Sequence, residues 1–166
     1  PLMTMEQGKT LAEAKIEVAA GADTIDWFAE EARRAYGRVI PARAEGVYQL
    51  VIKEPVGPVA AFTPWNFPVA IPIWKAAPAL AAGNAVVIKP SEFATKTAEL
   101  VGELLAKVLP SGIFTVVPGG PEVGQSLLDN CDVISFTGSV SVGNKVVARA
   151  AELGKPVQAE MGGLNP

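Results

Sequence analysis

From Val56 onward the chain repeats one pattern. A short apolar run rich in β-branched residues leads into a helix-like segment, and then another short run begins. "PVGPVAAFTP" precedes "FPVAIPIWKAAPALAAGN", "AVVIKP" precedes "ATKTAELVGELLAKVLP", and "IFTVVPGG" precedes "PEVGQSLLDN". "DVISFTGS" precedes "SVGNKVVARAAELG", and "PVQAEMGG" comes last. Five strand candidates thus alternate with four helix candidates, in the order βαβαβαβαβ. Short runs separated by helices cannot close as hairpins, so they must lie parallel, with helices covering both faces of the sheet. The expected fold class is α/β, a Rossmann-like doubly wound parallel sheet of about five strands. Gly83-Asn84 closes the first helix, Pro110 stops the second, and Pro121 suits the first turn of the third.

Ahead of this rhythm lies a different organisation. "TLAEAKIEVAAGADTIDWFAEEARRAYG" reads as one long helix. Thr10 and Glu13 have capping-box spacing, in which a hydroxyl and a carboxylate three residues apart satisfy each other's free N–H groups. Leu11, Ala14, Ile16, Val18, Ile25, Phe28, Ala32 and Tyr36 form a broad apolar stripe. Gly21 weakens the middle and allows a kink, and Gly37 suits a left-handed stop. "GVYQLVIKEP" then alternates as a strand does, with no hairpin partner evident nearby. A strand alone is not stable, so its partner is expected in another segment or another chain.

Composition narrows the chemistry. The 166 residues hold one cysteine, Cys131, and no histidine. Histidine-based triads, cysteine zinc clusters and intrachain disulfides are therefore excluded, and no metal site is expected. Formal charge is −3, with no Lys/Arg cluster, which argues against a nucleic-acid partner. Lys75 and three prolines interrupt Phe67–Gly83, the most apolar long stretch, so it is a poor membrane span. The N-terminus lacks a signal-peptide layout, and a cytoplasmic setting is expected.

Ligands of open parallel sheets bind beyond the carboxyl ends of the strands. The residues just past each strand are therefore informative: Thr63-Pro-Trp-Asn66; Lys89, Ser91 and Glu92; Pro118-Gly119-Gly120; Thr137, Gly138 and Ser139; Glu160, Gly162 and Gly163. Each has a plain alternative. Asn66 could cap the next helix or offer a rigidly held amide to an oxyanion. Lys89 could be a solvated strand end, and Glu92 a first-turn carboxylate favoured by the helix dipole. Gly138-Ser139 could be a turn, or N–H groups and a hydroxyl offered to a phosphate. Glu160, set among apolar residues and glycines, would be poorly solvated, with the raised pKa a general base needs. "GSVSVGNK" misses the P-loop pattern, because Lys145 falls one residue late with no Ser or Thr after it, and G-x-G-x-x-G is absent. Cys131 lies at the opposite edge, as a packed or rim cysteine. Position alone supports a nucleotide- or dinucleotide-binding α/β domain with a candidate base.

Taken together, "TPWNFP", "GNAVVIKPSE", "FTGSVSVG" and "EMGGLNP" resemble, in order and spacing, the motifs of the aldehyde dehydrogenase superfamily. "EQGKTLAEAKIEV" and "WFAEEARRAYG" resemble its N-terminal helical region, and "VIKEPVGPV" the segment leading into the first strand. The N-terminal part looks closest to succinate-semialdehyde dehydrogenases. The resemblance implies a Rossmann-like NAD-binding domain over 55–166. It also implies an N-terminal helical part over 1–43 and an oligomerisation-arm strand over 44–54.

It implies, too, that Asn66 donates to the oxyanion of a thiohemiacetal and that Glu160 activates the deacylating water. Lys89 and Glu92 would bond the adenosine ribose, with Ser91 beside them. Glu92 would repel a 2′-phosphate, which favours NAD, with NADP as the alternative. Gly138 and Ser139 would approach the pyrophosphate, Val142 the adenine, and Trp65, Pro118 and Gly119 would line the cofactor site. Gly162 would let the backbone run close to the cofactor. The expected reaction is oxidation of a small-molecule aldehyde, with succinate semialdehyde as a candidate, to the acid through a cysteine thioester in a homo-oligomer. Cys131 does not occupy the nucleophile's place, so the chain reads as the cofactor-binding part of a longer enzyme, inactive alone. The alternative is a stand-alone nucleotide-binding or scaffolding module.

Overall fold

The computed structural model describes residues 1–163. The last three residues of "EMGGLNP" lie outside the described residues. Strands β3 (Val59–Phe62), β4 (Val86–Lys89), β5 (Phe114–Val116), β6 (Val133–Gly138) and β7 (Val157–Met161) form one sheet in the order β5-β4-β3-β6-β7. Every pairing in it is parallel. Helices α3 (Ala70–Ala81), α4 (Thr95–Leu105), α5 (Pro121–Asn130) and α6 (Val140–Glu152) make the crossovers. The sheet is the doubly wound one that the sequence rhythm implies.

Alternate residues of each strand feed two cores. Ala60, Phe62, Ile134 and Phe136 pack with Leu128 of α5 and Val146 and Ala150 of α6. Val59, Ala61, Val86 and Ile88 pack with Ala76 of α3. β3 is buried along its whole length, as befits a central strand with helices on both faces. The chain leaves β3 in one direction for β4 and β5, then crosses back to β6 and β7. The topological switch point therefore lies between β3 and β6, where such sheets hold their ligands.

Helix α2 (Leu11–Ala32) begins with the expected capping box between Thr10 and Glu13. It runs unbroken through Gly21, because that glycine is where α3 comes close: a Cβ there would stand 2.9 Å from Ile73 Cδ1. Its buried face is Ala14, Glu17 and Gly21. The large apolar residues of the expected stripe, Leu11, Ile16, Val18 and Ile25, are exposed. Small residues admit the neighbouring helix; large ones would hold it off.

The helix stops at Ala32 with Arg33 still right-handed, and Gly37 does not take a left-handed conformation. Gly37 is needed instead because the Val51 carbonyl occupies the place of a Cβ. That close approach comes from a strand pairing that the sequence does not show. β2 (Gln49–Val51) does have a nearby partner, β1 (Arg38–Ile40), paired antiparallel across a loop too long to carry a tight-turn signature. All six residues of this small sheet are exposed.

A short helix not expected from the sequence, α1 (Leu2–Gln7), opens the chain and closes on left-handed Gly8. Its Glu6 carboxylate accepts from the N–H groups of Lys96 (2.6 Å) and Thr97 (2.7 Å) and so caps α4 from ninety residues away. Glu17 does the same for α3. Its Oε1 accepts from Val69 N–H (2.8 Å) and Ala70 N–H (3.0 Å). Removing a cap of this kind costs about 1 kcal/mol, up to ~2. Glu6→Ala is accordingly expected to lower the unfolding free energy by about that amount in urea titrations. An unchanged midpoint would show that the remote cap contributes nothing.

Candidate functional site

The carboxyl ends of β3, β4, β6 and β7 open into one cavity of about 1090 Å³. Its size matches sites that take a cofactor or a drug-sized ligand. From the β3 side it is lined by Thr63, Trp65, Asn66 and Phe67, and from the β4 side by Lys89, Ser91 and Glu92. Gly138, Ser139 and Val142 line it from the β6–α6 turn, and Glu160 and Gly162 from the end of β7. Ten of the twelve residues singled out in the sequence therefore share one cavity. Pro118 and Gly119 do not line it; their neighbours Gly120 and Pro121 do, since α5 begins one step further along.

The local structure decides several open alternatives. Asn66 is not a helix cap. Val69 holds that position in α3, and the amide hydrogens of the first turn are already accounted for. Val69 and Ala70 donate to Glu17, Ile71 donates to the Phe67 carbonyl, and Pro72 has none. Among the described residues, the Asn66 side-chain amide has no hydrogen-bond partner, so it is available to a ligand. Ser139 caps α6, its Oγ accepting from Val142 N–H at 3.4 Å. Ser139 and Val142 of that helix end line the cavity, and a helix N-terminus is where an α/β sheet offers amides to a phosphate. Thr63, at the end of β3, is 6% exposed, and its Oγ1 is buried without a partner. A buried hydroxyl left unpaired beside a cavity is a ready contact for something bound there.

One charged group differs from expectation. Glu160 is exposed. β7 is an edge strand on which Val157, Ala159 and Met161 turn inward while Gln158 and Glu160 face out, so the carboxylate is not poorly solvated. Lys89 is half-buried. Burial pulls its pKa below the usual lysine value, against the opposing pull of Glu92 and Glu122, and its Nζ donates to the Pro90 carbonyl at 3.0 Å.

Lys75, outside the cavity lining, is a buried charge that the sequence does not announce. It sits on α3, is 9% exposed, and donates from Nζ to Ser135 Oγ at 2.9 Å. Ser135 in turn donates to Gln158 Oε1 at 2.8 Å. This chain of hydrogen bonds crosses from α3 to β6 to β7 and ends two residues from Glu160. Burial lowers the Lys75 pKa to about 8, while the negative charge of Glu160 opposes that fall. The one available signal was a lysine at a helix position flanked by apolar residues, easily taken for a snorkelling surface residue. Cys131 is 3% exposed, and burial raises its thiol pKa. It lies between α5 and β6, at the amino end of the strand, away from the cavity. Among the described residues no three His, Cys, Asp or Glu converge as a metal site, and no helix is long and apolar enough to cross a membrane.

Comparison with known proteins agrees with the geometry. The family model described as the aldehyde dehydrogenase family matches residues 1–166. A mitochondrial succinate-semialdehyde dehydrogenase of Oryza sativa subsp. japonica is 48% identical, over 99% of this chain and 32% of its own length. An NADP(+) succinate-semialdehyde dehydrogenase of Escherichia coli (strain K12) is 46% identical, over 99% of this chain and 35% of its own. A solved NAD-dependent aldehyde dehydrogenase from Sinorhizobium meliloti superposes with a TM-score of 0.94 at 39% identity, over 99% of this chain and 34% of that one. The chain spans about a third of the length of the curated relatives it matches.

The buried lysine gives a pH signature. Its folded pKa, about 8, lies below the unfolded value, so the native state releases this proton first. Below pH 8 the amine is charged in both states and its burial opposes folding. As pH rises through the folded pKa towards the unfolded one, that opposition is relieved. Lys75→Met is expected to remove this alkaline gain, read as thermal midpoints between about pH 7 and 10.5. A gain of the same size in both proteins would show that Lys75 is not the group responsible.

Proposed function

The chain belongs to the aldehyde dehydrogenase family. On that premise we propose that it is the cofactor-binding part of an enzyme that oxidises an aldehyde to the carboxylic acid, with NAD as preferred acceptor. The observation that carries the reading is the meeting of Asn66 and Glu160 at one cavity, beside the free end of α6. An oxyanion donor and a base serve one reaction only if they flank one carbon.

The residues present suit a dinucleotide. Ser139 and the first amides of α6 would take the pyrophosphate, Val142 would face the adenine, and Lys89 and Glu92 would hold ribose hydroxyls. The half-buried Lys89 beside Glu92 supports that pairing, and a carboxylate there disfavours a 2′-phosphate, hence NAD before NADP. Thr63 Oγ1 and the walls contributed by Trp65 and Gly162 would complete the site. When bound, the cofactor accepts a hydride and so supplies the redox chemistry.

The protein's own groups do the rest. The Asn66 amide donates to the aldehyde oxygen as a thiolate adds and negative charge develops there. Glu160 takes a proton from the water that attacks the resulting thioester. Its exposed position leaves the carboxylate within reach of that water. The thiol would come from chain outside these residues, since Cys131 is buried away from the cavity. A small aldehyde such as succinate semialdehyde is the proposed substrate, and a homo-oligomer in the cytoplasm the proposed setting. The substrate follows from the resemblance to semialdehyde dehydrogenases, and the cytoplasmic setting rests on the bacterial relatives, the Oryza sativa one being named mitochondrial.

Glu160→Gln in the complete enzyme is expected to give one rapid turnover of reduced cofactor per site. Steady turnover should then fall by about 10²-fold or more, within the range for loss of general-base action. Undiminished steady turnover would remove Glu160 from the role. Saturable NAD binding without aldehyde oxidation in the complete protein would favour the binding-module alternative.

A further inference from the structure

The segment just before α2 holds the strand-to-helix turn that carries Asn66. Two side chains meet on the Asn66 carbonyl oxygen: Lys9 Nζ donates at 2.8 Å and Gln7 Nε2 at 3.2 Å. The same Lys9 ammonium lies 4.1 Å from the centre of the Phe67 ring and pairs with Glu17 Oε2. Glu17 Oε1, in turn, takes the N–H groups of Val69 and Ala70. Backbone groups of residues 66, 69 and 70 are thereby held by side chains more than fifty residues away in sequence. The Lys9 side chain is 10% exposed and that of Glu17 1%, so the pair lies largely out of water. There, ionic hydrogen bonds are short and directional.

We infer that Lys9, with Gln7 and Glu17, positions the Asn66 side-chain amide for oxyanion binding. The inference rests on the role of Asn66 proposed above. Holding the carbonyl of Asn66 anchors the peptide that follows its Cα and so limits the movement of the backbone from which the side chain leaves. The amide itself, having no protein partner among the described residues, depends on that backbone clamp for its aim. An oxyanion donor must sit within hydrogen-bond distance of where the charge will develop, and displacement by about 1 Å costs orders of magnitude. The arrangement is more than a helix cap. Glu17 alone would cap α3, whereas Lys9 and Gln7 reach past the cap to Asn66. Lys9, Gln7 and Glu17 are positioning residues, since none of them lines the cavity.

The test is a double-mutant cycle in the complete enzyme, with Lys9→Met and Asn66→Ala singly and together. Lys9→Met is expected to lower kcat for aldehyde oxidation about tenfold with Asn66 present, and less than about twofold once Asn66 is alanine, because coupled residues are non-additive. NAD affinity should move less than about twofold throughout, and Lys9→Arg, which can still donate to the same carbonyl, should recover most of the loss. A merely structural role would cost the same factor in both backgrounds, and that result overturns the inference. So does a Lys9→Met enzyme with unchanged kcat. If Lys9→Met does not fold, Gln7→Ala in the same cycle decides the matter, since Gln7 donates to Asn66 from an exposed position. An Asn66→Ala enzyme of full kcat would instead sink the oxyanion reading itself, whereas an impaired Asn66→Ala beside an unimpaired Lys9→Met would sink this inference alone.

Discussion

One buried carboxylate joins the two halves of the molecule. Glu17 sits on a helix whose remaining buried surface is alanine and glycine, so little apolar area is available to hold α2 in place. The carboxylate compensates with direction. It takes two amides that the start of α3 leaves free and one ammonium from the segment ahead of α2. Removing one member of such a pair leaves an uncompensated charge, typically at a cost of ~3–5 kcal/mol. The placement of α2 on α3, and of the Asn66 turn between them, depends on this contact. Glu6 repeats the device on α4, so two parallel-sheet crossovers receive their caps from the N-terminal helices rather than from their own sequences.

This has a consequence for anions. A helix N-terminus in an α/β sheet is a natural place for a phosphate. Here carboxylates already occupy the ends of α3 and α4. The end of α6 carries only the Ser139 hydroxyl and opens into the cavity at the switch point. Carboxylates thus stand at the starts of α3, α4 and α5, and the proposed anion site is the start of α6. On the other side of the same crevice stand the Asn66 amide, without a partner among the described residues, and the buried hydroxyl of Thr63.

Most of the sheet was legible in the sequence. Strand and helix alternate there with a period that only a parallel arrangement satisfies, and the ends marked by Pro121 and Gly83 fall where the chain chemistry puts them. The cavity residues were legible for the same reason, since topology alone places every strand end on one edge. What was not legible rests on long-range contacts. The pairing of β1 with β2 gives no tight-turn signature, so the second strand looked orphaned. The buried face of α2 looked like its largest apolar residues and is in fact its smallest. Glu17 and Lys75 carry no local signal of their contacts, because nothing nearby in sequence reveals that a carboxylate faces a helix end or that an amine reaches a strand hydroxyl. Glu160 erred in the other direction: apolar neighbours suggested burial, but an edge strand leaves every second residue open.

Everything proposed for the site requires that the crevice between β3 and β6 hold a dinucleotide at the free end of α6. Calorimetric titration of NAD into the protein, with a Val142→Glu variant that sets a carboxylate on the crevice wall, addresses this most directly. Saturable binding of one NAD per chain, abolished by Val142→Glu with the fold intact by circular dichroism, is the expected result. Binding that survives a carboxylate in the wall, or no binding at all, would contradict the dinucleotide site.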